Sequence, residues 1–243
     1  MKCFKSIMYT MALLAAFSCN KAQVGVSGQV SFDLNSRYDL VEVTKSSVSD
    51  YTTLPSKGDF TISILDASSA SVYSGKLSAW DTATQLPSGN YSVSASYGSL
   101  EDEGFDKPYF SGVANFAITG GSIATVSIPV SLGNTVVKVN CTDSFKNYFK
   151  DYTFKLVRGT ATLATFAKDE TKAAFVDGYK LTIQGTLTSE TGTQTFEKEY
   201  TNLKEATAYT FEFDAPNVGG AKITVSFNNT VETIELGDIE IND

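Results

Sequence analysis

Along most of the chain, apolar and polar residues alternate with a period of two, the signature of strands with one buried face. The alternation runs through residues 24–34, 60–64, 91–97, 116–118, 124–130 and 135–139. It resumes through 152–156, 179–183, 209–213 and 222–227. Each run is bounded by Gly, Pro, Asn, Asp or Ser, which supply turn conformations. No window sustains a helical period, and one helical turn is predicted at 144–150, where Phe145, Tyr148 and Phe149 fall at i, i+3 and i+4. Pro129 cannot donate to a ladder, so its strand should be at an edge or an end there.

The order of features repeats. Residues 60–65 correspond to 152–157, the turn Ser88-Gly89-Asn90-Tyr91 to Asp177-Gly178-Tyr179, and Lys107-Pro108-Tyr109 to Lys198-Glu199-Tyr200. An internal duplication predicts an all-β chain of two consecutive immunoglobulin- or transthyretin-like β-sandwich domains, at residues 24–132 and 133–243. A tyrosine entering a strand from a Pro-Ser-Gly-Asn turn fits a tyrosine corner, its ring in the core and its hydroxyl on nearby backbone. Tyr91 is given that role, and Tyr179 is its expected counterpart.

The start of the chain changes the picture. Lys2 and Lys5 precede an apolar run from Ile7 to Phe17, too short for a span of roughly 20 residues. Ala16-Phe17-Ser18-Cys19 resembles a lipobox, although the usual Leu at its first place is absent. Residues 1–18 are thus read as a lipoprotein signal peptide, Cys19 as the lipidation site, and 19–23 as a lipidated tether. An ordinary cleaved secretory signal that happens to contain a cysteine is the alternative.

Charge and composition then exclude function classes. Without Lys2 and Lys5, 17 of the 19 basic residues face 27 acidic ones, a formal charge of −10. Such a chain repels phosphate backbones, so nucleic acid is not an expected partner. No basic amphipathic helix would bind an anionic bilayer, which leaves the lipid as the membrane link. Cys141 has no disulfide partner once Cys3 is removed and Cys19 acylated, and it shares a strand face with Val137 and Val139 as a small core residue. There is no histidine, which removes Ser-His-Asp and Cys-His catalysis and the commonest zinc ligand. Carboxylate-only hydrolysis survives that exclusion, but no catalytic constellation is visible. The chain is read as not an enzyme, with no cofactor and no metal site.

Three places could hold chemistry. The acids of Glu101-Asp102-Glu103-Gly104-Phe105-Asp106 could bind calcium, but their spacing matches no calcium loop and a solvated acidic loop is the ordinary reading. Trp80, Tyr97 and Tyr109, with Phe105 and Phe110, could form an aromatic platform for surface glycans, or simply pack in the core. The long connection at 36–58 contains Arg37, one of two arginines in the chain, directly after the first strand. It is a candidate site of proteolytic processing.

Cys19, Thr44-Lys45-Ser46, residues 86–91, residues 105–112 and Tyr148-Phe149-Lys150-Asp151-Tyr152 resemble a Bacteroidetes lipoprotein family of unknown function. The resemblance covers essentially the whole chain after the signal and transfers no catalytic residue. More distantly, the layout is similar to fimbrillin-like pilins and adhesins. That likeness implies an outer membrane lipoprotein with a structural, adhesive or fimbria-associated role, on the periplasmic or the cell-surface face. It further implies cleavage after Arg37, departure of the strand at 24–34, and assembly with protein partners by β-strand addition. Asp81-Thr82-Ala83 also resembles the short acceptor motif for O-glycosylation in those bacteria. A glycan-binding lipoprotein accessory to a nutrient-uptake system is the alternative function.

Overall fold

The structure is a computed structural model that describes residues 26–40, 46–215, 222–227 and 230–235. Its strands up to Leu132 are β1 (Ser27–Arg37), β2 (Asp39–Leu40), β3 (Ser46–Ser47), β4 (Thr61–Asp66), β5 (Ser71–Lys76), β6 (Leu86–Pro87), β7 (Gly89–Tyr97), β8 (Gly104–Phe105), β9 (Phe110–Ile118) and β10 (Ile123–Leu132). Beyond them come β11 (Thr135–Cys141), the one α-helix among the described residues, α1 (Asp143–Tyr148), β12 (Asp151–Arg158), β13 (Ala161–Phe166) and β14 (Ala174–Val176). The described strands end with β15 (Lys180–Thr188), β16 (Thr193–Thr201), β17 (Ala208–Asp214), β18 (Lys222–Phe227) and β19 (Thr230–Glu235). The chain is all-β, as its alternation predicts.

Seven strands form one curled sheet in the order β5-β4-β7-β9-β10-β1-β6. Every second residue faces inward: Val30 and Leu34 from β1, Ile62 and Ile64 from β4, Val93 and Ala95 from β7, and Val126, Ile128 and Val130 from β10 all pack in one buried cluster. Burial of apolar surface on this scale, roughly 25 cal/mol per Å², is what holds a disulfide-free sandwich together. β10 is an inner strand between β9 and β1, so Pro129 is at neither an edge nor an end as its missing donor suggested; the β9 ladder covers only Ser131 and Leu132, and beside Pro129 β9 places Gly112, where a Cβ would meet the Pro129 carbonyl at 2.0 Å.

The later strands repeat this pairing scheme. β1 pairs in parallel with β10 and antiparallel with β6; β11 pairs in parallel with β17 and antiparallel with β14. The chain β5-β4-β7-β9 has its counterpart in the four-stranded sheet β13-β12-β15-β16. Following the ladders outward gives the true equivalences. Ile64 pairs with Val93 where Leu156 pairs with Ile183, and Tyr91 pairs with Phe116 where Leu181 pairs with Tyr200.

That register corrects one expectation. Tyr91 is a tyrosine corner, buried, with its hydroxyl donating to the Pro87 carbonyl at 2.8 Å. The residue in its place in the repeat is Leu181, two positions past Tyr179, and Tyr179 is 74 % exposed. In a strand a shift of two keeps the face but moves the residue beyond the end of the ladder, so the Asp177-Gly178-Tyr179 turn holds no corner. The pairing of Tyr109 with Tyr200 fails similarly, because Tyr200 matches Phe116 in register.

The second core is aromatic. Phe145 on α1 packs against Phe149, Tyr152, Phe154 and Phe213. Phe154 and Phe213 stack with centroids 4.2 Å apart, and Phe196 leans on both. The Phe196 ring lies over its ladder partner Gly185, where a Cβ would meet it at 2.0 Å, so that position admits no side chain. Helix α1 begins where Thr142 caps the Phe145 amide at 3.2 Å, which places Phe145 in the core and fulfils the expectation of one helical turn.

Candidate functional site

Cys19 lies outside the described residues. Among those that are described, no helix is long and apolar enough to cross a membrane, and no group of three or more Cys, Asp or Glu side chains could hold a metal ion.

β1 is the strand that sequence reasoning marked for departure. It pairs with β10 over nine consecutive positions, from Gln29 opposite Ile123 to Arg37 opposite Ser131. On its other side, Ser27 and Gly28 meet Pro87 and Leu86 of β6. It is an inner strand, and its side chains Val30 and Leu34 fill the first core. Arg37 is its last residue and is exposed. The segment that follows is docked: Leu40 and Val48 are buried, Tyr38 sets its ring edge-on to Phe110 at 5.7 Å, and Tyr51 and Leu54 pack on the same core.

The three candidate aromatics are dispersed. Trp80 is half-buried, with its indole N–H donating to the Val30 carbonyl at 3.0 Å and its ring between Tyr73 and Phe32 at 4.9 and 5.5 Å. Trp80 therefore acts as a clamp on β1. Tyr97 is half-buried against Phe60 at 5.7 Å, and Tyr109 lies over Gly133 with its amide donating to the Asn134 side-chain oxygen. Phe110 is fully buried and Phe105 meets Phe166 edge-on at 5.0 Å. No ring contact joins Trp80 to Tyr97 or Tyr109.

The acidic loop differs from the solvated loop expected of it. Glu103 is only 11 % exposed and receives both guanidinium nitrogens of Arg158, at 2.6 and 3.0 Å. It also accepts the Asp177 amide at 2.7 Å. Arg158 donates in turn to the carbonyls of Asp177 and Lys180, and Asp106 pairs with Lys172 at 2.8 Å. Between these ion pairs, β8 adds to the edge of β14, Phe105 opposite Ala174 and Gly104 opposite Phe175. Gly104 has φ +125 and passes 2.9 Å from the Leu163 carbonyl, counted from where a Cβ would stand. A loop of the early strands thus completes the sheet of the later ones. Sequence reasoning missed this clasp, and its one signal was the scarcity of arginine: Arg37 and Arg158 are the only two.

Cys141 lines a cavity of about 200 Å³ with Lys138, Lys146, Tyr152 and Asp169. Burial pushes its thiol up to about 12, against the opposing pull of Lys146. Burial likewise raises the Tyr152 hydroxyl, which meets Asp169 at 3.1 Å. Cys141 is therefore a neutral core side chain, as its place beside Val139 suggests. Because an unfolded thiol titrates near 8.5, the folded state keeps a proton that the unfolded state loses. Stability is expected to be unaffected by this group below about pH 8 and to fall as pH rises from there toward 12. Iodoacetamide at about pH 8 should leave Cys141 unmodified in the native protein and alkylate it in denaturant; rapid native alkylation would contradict the burial.

Solved structures that resemble the chain include two fimbrial proteins. A fimbrial assembly protein from Parabacteroides distasonis is 9 % identical, with 87 % of this chain and 99 % of that one covered at a TM-score of 0.48. The fimbrial anchor protein Mfa2 from Porphyromonas gingivalis is 10 % identical, with 84 % and 98 % covered at a TM-score of 0.39. No curated protein matches the chain in sequence. The model of one family, described as a domain of unknown function, DUF4493, matches residues 27–243, and the chain belongs to that family.

Proposed function

We propose that the protein is a non-enzymatic cell-envelope lipoprotein with an adhesive or fimbria-associated role, held at the outer membrane by a lipid on Cys19 until it is cut after Arg37. In this reading residues 24–132 and 133–243 are two sandwich domains, and the first of them exchanges its opening strand. The observation that carries the reading is the placement of β1. It is an inner strand clamped by β10, β6 and the Trp80 indole, and it ends on an exposed arginine. Cutting after Arg37 frees the strand covalently while leaving it paired. Its departure opens a groove floored by the core around Val126, Ile128 and Val130, with the β10 main chain unpaired along the ladder. Such a groove accepts an extended segment of a neighbour by main-chain pairing, which is β-strand addition.

An arginine-specific protease tests this on the folded protein. Arg158 is held by Glu103, so the first cut is expected after Arg37, and Arg37→Ala should abolish it. The cut protein should then take up a labelled peptide of residues 26–37 in exchange for its own strand. A folded protein that resists cleavage at Arg37, or a cut protein that takes up no peptide, contradicts strand exchange.

A further inference from the structure

One end of the seven-stranded sheet differs from the rest of the surface. The turn between β9 and β10, residues 119–122, folds against the start of β1: the Gly121 amide donates to the Ser27 carbonyl and the Gln29 amide to the Ser122 carbonyl, each at 2.9 Å. Between β6 and β7, the Ser88 amide donates to the Val26 carbonyl at 3.0 Å. The turn between β4 and β5, residues 67–70, comes to the same end, because Asp66 pairs with Tyr91 and Tyr91 with Phe116 near the start of β7. Two apolar side chains project here: Val26, 52 % exposed, beside Gly120, and Ile123, 74 % exposed, opposite Gln29 of β1.

For so acidic a chain this end carries little charge. Residues 67–70, 87–88 and 119–122 include no charged side chain. Asp66 and Asp81 flank them, and both carboxylates are turned onto backbone: Asp66 accepts the Ser68 and Ala70 amides at 2.8 and 2.9 Å, and Asp81 the Ala83 amide at 2.9 Å. The opposite end of the sheet is the acidic one, since β7 passes to β9 there through residues 98–109, which hold Glu101, Asp102, Glu103 and Asp106. Covalent geometry says what the uncharged end meets. Six residues, 20–25, separate Cys19 from Val26, so a lipid on Cys19 is attached within about 25 Å of Val26 whatever path the chain takes. From there the 11 residues of β1 carry the chain about 35 Å away, to Arg37 at the other end.

We propose that this end of the sheet rests on the bilayer that holds the lipid, with Val26 and Ile123 at the boundary between headgroups and acyl chains and β1 pointing away from the membrane. Exposed apolar side chains gain by entering that boundary. The uncharged turns beside them approach anionic headgroups without repulsion, while the carboxylates of residues 98–109 stay on the far side. The proposal rests on the lipid at Cys19 in the reading above and concerns the chain before any cut after Arg37. It does not depend on strand exchange.

The test uses the full chain purified from its envelope, in an Arg37→Ala background that keeps β1 joined, and reconstituted into phosphatidylcholine vesicles whose brominated acyl chains quench a tryptophan at their depth. Ile123→Trp and Ser131→Trp put the probe on one exposed face of β10 at points about 26 Å apart, and the parent with Trp80 alone sets the background. Ile123→Trp is expected to lose about half or more of its added emission and Ser131→Trp little. Val26→Trp, just before β1, should behave as Ile123→Trp does. Protein that fails to float with the vesicles would overturn the lipid anchor and the proposal with it. Protein that floats, with equal quenching at positions 123 and 131 or none at either, would leave the anchor standing and overturn the contact. So would an Ile123→Trp emission that shifts to the blue with rising protein concentration in lipid-free detergent, because a second copy would then be covering the patch.

Discussion

Phe154→Ala is expected to destabilise the protein by about 3–5 kcal/mol, the cost of removing a buried aromatic ring and leaving a cavity behind. The ring is fully buried and stacks on Phe213 at 4.2 Å, with Phe145, Tyr152 and Phe196 around it at 6.0–6.3 Å. Strands β12, β15, β16 and β17 and helix α1 all bring side chains to this cluster, so none of them can close over the void without moving the others. Equilibrium unfolding in urea checks the figure through the midpoint at unchanged slope. A loss below about 1 kcal/mol would mean that the Phe154–Phe213 stack is not the centre of the second core.

The second large effect is expected from Arg158→Ala, at about 2–3 kcal/mol. Truncating one partner of a buried ion pair leaves the other charge without compensation, typically at 3–5 kcal/mol; the figure is reduced here because the Arg158 side chain is 36 % exposed. Glu103, at 11 % exposed, would keep only the Asp177 amide. Glu103→Gln should cost less, because it removes the charge with the ion pair and retains hydrogen-bonding groups. The two variants also differ in where the loss is felt. Detachment of β8 should speed hydrogen exchange at Gly104, Phe105 and the β14 amides in Arg158→Ala, while β12 and β15 stay protected. Uniform exchange across all of these strands would contradict a clasp that acts locally.

What was legible in the sequence is what depends on period and local chemistry. Alternation at 91–97 and 209–213 placed β7 and β17 because a half-buried strand enforces it, and the Phe145, Tyr148, Phe149 spacing marked α1 because three aromatics on one side of a turn have one way into a core. The tyrosine corner at Tyr91 was readable because its partner, the Pro87 carbonyl, is four residues away. Long-range contacts left no such trace. Glu103 and Arg158 are 55 residues apart, and nothing in the acidic run distinguishes the carboxylate that is buried from those that stay in water. Trp80 could be named as an unusual aromatic, but its clamp on Val30 spans 50 residues and depends on β5 and β6 folding around β1. Tyr179 shows the opposite failure. A Gly-Tyr at a strand start looks like a corner until the ladder puts Leu181 in that role.

Exchange of β1 is read from the mass of the N-terminal peptide of the protein purified from its native envelope. Strand exchange predicts a population of assembled protein whose chain begins at Tyr38. A single species carrying a lipid on Cys19 and continuous through Arg37, in every assembled form, would contradict the claim.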